Sequence, residues 1–179
     1  MGSIIAPSTL KQGQTFRIVF VTDGTTDAIH ADHGYYDGLV QAEAVANGLG
    51  KRLAGTQPVT WLALISSRDG TKATDRLPLD NVPLFLLSAD QVATGSTSLW
   101  EDWKPLVRLI NQSPTAEGIT GEVWTGTRSG GDCVDNPLGG VYRQECAAYT
   151  IGGDQDGESY VTQPNEPKRL FAFSEILSV

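Results

Sequence analysis

Both histidines of the chain lie in one acidic stretch, TTDAIHADHGYYDG, at residues 25–38. His30 and His33 are interspersed there with Asp27, Asp32 and Asp37. Imidazole and carboxylate groups are ligands for zinc and copper, so the stretch could form a metal site. The histidines are only three residues apart in a predicted loop, however, and Asp32 is equally well placed to cap a following helix. A solvated loop is therefore the preferred interpretation, with a metal site as the alternative.

A second acidic stretch, GGDQDGESY, places carboxylates at alternate positions around a glycine. Calcium takes several oxygen ligands from a flexible turn, and we name Asp154, Asp156 and Glu158 as its candidate ligands. Asp132 and Asp135 could join them if the chain folds back. The twelve-residue spacing of an EF-hand is absent, so a plain acidic turn is slightly favoured over a calcium site.

The two cysteines, Cys133 and Cys146, lie in a segment rich in glycine, aspartate and asparagine and are not spaced as CxxC. A local disulfide formed in an oxidising compartment fits this pattern better than zinc binding or redox catalysis. Two buried free thiols are the alternative.

Charge and hydropathy exclude other classes of protein. A net charge of -8 and a pI near 4.6 argue against nucleic-acid binding, because phosphates are bound by clustered lysine and arginine. No apolar run approaches the roughly 18 residues that a membrane span requires.

Neither GxSxG nor HExxH occurs, so the chain is not expected to be an enzyme. A hydrolase that uses Asp154 and Glu158 as acid and base is the alternative.

Periodicity predicts one main helix among short strands. Strands are predicted in TFRIVFVTD, VTWLALISS, VPLFLLSAD, EVWTGT and KRLFAFSEIL, and the last is expected to pair beside the first. STSLWEDW is predicted to be a short helix or turn, and little periodic apolar sequence follows EVWTGT. Residues 1–15 are expected to be an N-terminal extension and lead-in, and residues 16–179 a single α+β domain with long ordered loops.

The main helix is predicted in YYDGLVQAEAVANGLG, ending at Gly48 or Gly50. Its core-facing side is predicted to carry six apolar residues, namely Leu39, Val40, Ala42, Val45, Ala46 and Leu49. The sequence therefore predicts an amphipathic helix packed on the sheet.

The order of these motifs resembles a known family. FRIVFVTDGTTDA, YYDGLVQAEAVANGLG, WLALISSRDGTKATDRLP, VPLFLLSADQVA, LWEDW, VWTGT and RLFAFSEIL follow one another as in the endostatin-like branch of the C-type-lectin-like fold. The chain is especially similar to bacterial secreted proteins that carry this domain upstream of a PEP-CTERM sorting tail. The resemblance implies a C-type-lectin-like domain, an extracellular or cell-surface location and no catalytic site.

The resemblance also suggests residues that could bind carbohydrate. Gln163, Pro164 and Asn165 are similar to the sugar-binding tripeptide of C-type lectins, although a proline-rich turn is the preferred interpretation. Trp100 and Trp103 could stack on a sugar, although burial in the core is the default for the four tryptophans.

The expected function is therefore recognition of a surface glycan or an extracellular protein through the loops of residues 127–167, with calcium as a possible ordering ion. The alternative is a structural subunit that self-associates into a sheath, filament or coat. We expect the chain to be part of a longer precursor.

Overall fold

The computed structural model describes residue 4 and residues 6–51, 57–100, 107–127, 136–140, 144–151 and 159–179. Within them, three helices accompany nine strands. The helices are α1 (His33–Ala46), α2 (Ala73–Arg76) and α3 (Ser96–Trp100). The strands are β1 (Thr15–Val21), β2 (Trp61–Ala63), β3 (Leu84–Phe85), β4 (Gln91–Ala93), β5 (Gly121–Trp124), β6 (Cys146–Ile151), β7 (Ser159–Thr162), β8 (Arg169–Ser174) and β9 (Leu177–Ser178).

The strands form one mixed sheet in the order β4-β3-β1-β8-β5-β6-β7, with β2 paired to β8 and β9 paired to β1. Strand β1 pairs with β8, as predicted; the two run antiparallel, with Phe20 opposite Ala172. It also runs parallel to β3, and β5 runs parallel to β8. The first long strand and the last therefore meet in the middle of the sheet.

Both faces of the sheet are buried, because side chains of a strand alternate between its two faces. Phe16, Ile18 and Phe20 of β1 pack in the core beneath α1, while Val19 and Val21 pack in a second core on the other face. The first core also holds Tyr36, Val40, Ala44, Trp61, Trp124, Leu170 and Ala172. The second also holds Leu77, Leu84, Leu99, Val123, Tyr149, Phe171 and Phe173.

Helix α1 begins and ends where its sequence directs. Asp32 has extended backbone geometry, and its side chain accepts a hydrogen bond of 2.8 Å from the Gly34 amide, which makes it the N-cap. After Ala46 the backbone turns at Gly48, whose φ of 81° lies in the left-handed region that favours glycine. The suggested cap at Asp32 is confirmed, and of the two predicted ends, Gly48 and Gly50, the helix turns at Gly48.

The predicted fold class is wrong. The structure is dominated by a nine-stranded mixed sheet, so it is not an α+β domain organised around a main helix and several short sheets. The prediction missed β6 and β7, which lie in the segment predicted to have little periodic sequence. Their residues CAAYTI and SYVT carry few large aliphatic side chains, and pairing with β5 fixes β6 as a strand.

Three segments meet at Gly126, in the motif VWTGT. A Cβ atom at this position would lie 2.2 Å from the Ser66 carbonyl oxygen and 2.8 Å from the Leu138 amide nitrogen. Those two groups are hydrogen-bonded to each other at 2.9 Å, and the Ser66 amide donates to the Thr125 carbonyl. The φ of Gly126 is 59°, so both its backbone angle and its surroundings require glycine.

Candidate functional surface

The polar side chains of α1 turn inward and bind the backbone of neighbouring segments. Gln41 accepts from the Trp61 amide at 2.8 Å and donates to the Val59 carbonyl at 3.2 Å. Asp37 accepts from the Ala63 amide at 2.8 Å and pairs with Arg76. These contacts satisfy backbone groups along β2 that would otherwise lie open at a strand edge.

The solvent side of α1 is consequently apolar. Among the 14 residues of the helix, those classed as exposed are Gly34, Tyr35, Gly38, Leu39, Ala42, Val45 and Ala46, which we call the α1 outer face. Tyr35, Leu39 and Val45 are 38%, 36% and 57% exposed. A helix on a soluble protein ordinarily presents charged and polar residues to water, so this face has the composition of a binding surface.

The α1 outer face corrects the prediction for the core side of the helix. Of the six apolar residues predicted to face the core, Val40 and Leu49 are buried. The other four, Leu39, Ala42, Val45 and Ala46, are exposed. The core side is built instead from Tyr36, Val40 and Ala44.

A shallow pocket borders this face. It is partly open to solvent and is lined by Thr22, Gly24, Thr25, Thr26, Leu39, Glu43 and Leu170. We call it the Glu43 pocket, because that carboxylate accepts hydrogen bonds from the Asp23 and Gly24 amides and fixes the loop to α1. Burial raises the pKa of Glu43 despite these hydrogen bonds.

An aromatic pair connects the pocket to the start of the helix. The rings of His30 and Tyr35 are stacked with their centroids 3.6 Å apart. The Tyr35 hydroxyl lies 3.5 Å from the Thr26 hydroxyl, at the pocket wall. The α1 outer face and the Glu43 pocket thus form one continuous surface.

The five residues of the opening acidic stretch do not form one cluster, although His30 lies 4.0 Å from Asp27 and His33 lies 4.0 Å from Asp32. Asp37 binds Arg76 and His30 stacks on Tyr35, while His33 lies close to Asp32 and to Asp69, a residue distant in the sequence. The His33 Nδ1 atom lies 2.6 Å from the Asp69 carboxylate and 4.0 Å from that of Asp32. Asp69 was missed because it follows 36 residues later, in a different loop, and no spacing rule connects the two.

The Asp32, His33 and Asp69 cluster could hold a metal ion, since its ligand atoms lie within 4.8 Å of one another. Its contacts also have a complete structural explanation. Asp69 accepts from the His33 amide at 3.0 Å, the Ser67 hydroxyl at 2.7 Å and the Thr71 amide at 2.9 Å. The cluster joins the start of α1 to the loop of residues 67–71, and neither calcium nor zinc is needed to account for it.

Replacement of Asp69 by asparagine is expected to destabilise the fold by about 2 kcal/mol. Both carboxylate oxygens of Asp69 accept hydrogen bonds, whereas the side-chain amide of asparagine has only one accepting oxygen. Burial opposes the charge of Asp69, but hydrogen bonds from His33, Thr71 and Ser67 outweigh it and hold its pKa well below the ordinary value. The contribution of Asp69 is therefore present above the unfolded-state pKa of about 4 and is lost as pH falls through the lower folded-state pKa.

Urea unfolding at several pH values tests this prediction. The Asp69→Asn and wild-type curves should differ most near neutral pH and converge in acid. Asp32→Asn is the matched control, since asparagine caps a helix as well as aspartate does. A difference between Asp69→Asn and wild type that stays constant down to the lowest pH would contradict the assignment.

A second charged cluster surrounds Lys168. Its side chain is 2% exposed and donates to Glu122 at 2.5 Å and to Glu166 at 2.6 Å. The ammonium group also lies 5.1 Å from the centre of the Trp124 ring. Burial opposes the charge of Lys168, but the two glutamates outweigh it and raise its pKa. Hydrogen bonds from Lys168 lower the pKa of both Glu122 and Glu166.

Most residues predicted to bind calcium or carbohydrate lie outside the part of the chain that the structure describes. This holds for Trp103, Asp154, Asp156, Glu158 and the side chain of Trp100. In the described turn before β8, Gln163 is partly exposed and Asn165 exposed. The calcium and carbohydrate sites therefore stay predictions.

The cysteines and the other tryptophans are placed as follows. Cys146 is buried, and its sulfur lies 3.3 Å from the Pro137 carbonyl oxygen. Cys133 lies outside the described residues, so the disulfide stays a prediction. Trp61 and Trp124 are buried, as predicted.

Comparison with protein-family models finds no match, and a search of curated proteins finds no significant relative. The likeness to the endostatin-like family thus rests on motif order alone. None of the helices in the described residues combines the length and the apolar character needed to cross a bilayer.

Proposed function

We propose that this protein is a non-catalytic recognition module that binds a partner protein outside the cell or at its surface. The observation that supports this proposal is the α1 outer face, which carries only apolar and small side chains while the polar residues of the helix bind inward. The extracellular setting is supported only by motif order. Partner binding would bury Tyr35, Leu39 and Val45, which contribute about 25 cal/mol for each Å² of apolar area removed from water.

Self-association is the second candidate, and one observation favours it. Gly34, Gly38, Ala42 and Ala46 recur every fourth residue and form a low ridge on the exposed side of α1. Small residues at this spacing allow a second helix to approach closely. The net charge of -8 opposes close packing of two copies, so we place a different partner first.

A peptide selection tests the proposal while the partner is still unidentified. A displayed library of 16-residue peptides is selected on the wild-type protein, and the enriched peptides are measured against Leu39→Glu/Val45→Glu. We expect these peptides to lose at least about tenfold in affinity, because two charges then interrupt the apolar face.

Leu79→Glu/Val107→Glu is the matched control. Leu79 is 63% exposed and follows α2 in the chain. Val107 is 68% exposed, and its amide donates a hydrogen bond to the Val92 carbonyl of β4. Thermal unfolding should show that both double variants remain folded. Enriched peptides that bind both variants equally, or a selection that enriches none, would refute the proposal. Sedimentation of the wild type over a range of concentrations would reveal self-association that Leu39→Glu/Val45→Glu abolishes.

A further inference from the structure

The α1 outer face is too small to form a complete interface. A helix of 14 residues is about 21 Å long and ~10 Å wide. A stable protein interface covers about 800 Å² on each partner, several times the area of one helix face. A partner on α1 must therefore extend over adjoining surface, and the Glu43 pocket adjoins the helix at Leu39.

Carboxylates lie in this pocket and along the loop that leads from it to α1. Glu43 lines the pocket, and the side chains of Asp23, Asp27 and Asp32 in the neighbouring loop are 55%, 36% and 79% exposed. Arg169 is a cation on this side, and it donates to the Thr22 and Asp23 carbonyls. Its guanidinium lies 4.0 Å from the Asp23 carboxylate, so it offsets only part of the negative charge.

The carboxylate of Glu43 has room for further hydrogen-bond donors. Each of its oxygens accepts one backbone amide, and a carboxylate oxygen can accept two hydrogen bonds. The apolar stem of a lysine or arginine could lie along Leu39 while its cationic end reaches the carboxylate. Burial raises the pKa of Glu43, whereas the positive charge of Arg169 acts in the opposite direction.

We infer that the Glu43 pocket receives a lysine or arginine side chain from an amphipathic segment of the partner, whose apolar residues cover the α1 outer face. The inference rests on the proposed function and names the chemistry of the partner. Because the pairing is electrostatic, affinity should fall as ionic strength rises.

The peptides enriched in the selection serve as probes. We expect most of them to carry a lysine or arginine beside apolar residues spaced three or four apart. In the tightest binder, replacing that basic residue with norleucine should weaken binding to the wild type by about tenfold, as should Glu43→Gln in the protein. Because both changes remove one contact, the combined loss should be no greater than either alone.

Glu117→Gln is the matched control, since it removes one exposed carboxylate from a different loop. Its peptide affinity should stay within about twofold of that of the wild type, because a distant surface charge is screened by salt. Salt titration provides a readout that a loosened loop would not change: the lysine peptide should weaken with salt, and its norleucine analogue should not.

The outcomes separate the two proposals. Peptides that depend on Leu39 and Val45 but not on Glu43 would overturn the pocket assignment and leave the docking face standing. Equal losses of peptide affinity in Glu43→Gln and Glu117→Gln would also overturn the pocket assignment and leave the docking face standing. Peptides that depend on neither Leu39 nor Val45 would refute the proposed function itself.

Discussion

Gly126→Ala is expected to destabilise the fold by about 3 kcal/mol or more, whereas Gly38→Ala should stabilise it by about 0.5 kcal/mol. At Gly126 a methyl group would lie 2.2 Å from a backbone oxygen of Ser66, and the φ of 59° disfavours side chains. At Gly38 a Cβ would have no neighbour within 4 Å, and alanine is the better helix former. Urea unfolding followed by tryptophan fluorescence measures both changes.

Gly126→Asn separates the two causes at that position, because asparagine tolerates a positive φ but still carries a Cβ. If the collision with Ser66 dominates, Gly126→Asn should be as damaging as Gly126→Ala. If Gly126→Ala does not accumulate in folded form, its yield and its circular dichroism spectrum report the same result. Wild-type stability in Gly126→Ala would show that the junction of residues 66, 126 and 138 is placed wrongly.

The Lys168 cluster should respond asymmetrically to removal of its charges. The double variant Glu122→Gln/Glu166→Gln is expected to cost about 3 kcal/mol, because it leaves an ammonium group that is 2% exposed without a counter-charge. Lys168→Met should cost about 1 kcal/mol, because the glutamates are 49% and 47% exposed and can be hydrated by water. Methionine also preserves an apolar stem in this site.

Equilibrium unfolding of the two variants at neutral pH gives the comparison. The single variants Glu122→Gln and Glu166→Gln complete a cycle, and their combined loss should exceed the sum of the separate losses, since either glutamate alone can neutralise Lys168. If Lys168→Met and the double variant lose the same free energy of unfolding, the prediction is wrong and the lysine is hydrated by water.

The parts of this fold that could be predicted are those encoded locally. Alternating apolar residues identified β1, and the cap at Asp32 and the turn at Gly48 delimit α1 within a short window. The orientation of α1 could not be predicted in this way. Its polar residues face inward because they bind backbone groups of β2, and hydrophobic periodicity contains no information about backbone donors and acceptors.

The candidate surface was hidden for the same reason. The sequence suggested chemistry where carboxylates, histidines and tryptophans cluster, whereas the α1 outer face is made of residues assigned to the core. Glu43 acquires its place in a pocket only when the loop at Asp23 and Gly24 folds against it from 19 or 20 positions away. Pairings of this kind depend on tertiary structure.

The position of β8 has a consequence for how the protein is made. This strand pairs with β1, β2 and β5, so it joins the N-terminal part of the chain to the C-terminal part. A ribosome must release the chain through β8, about 150 residues after β1 by the strand bounds, before β1 can acquire this partner. We therefore expect folding to be slow, as is usual where distant strands must find each other.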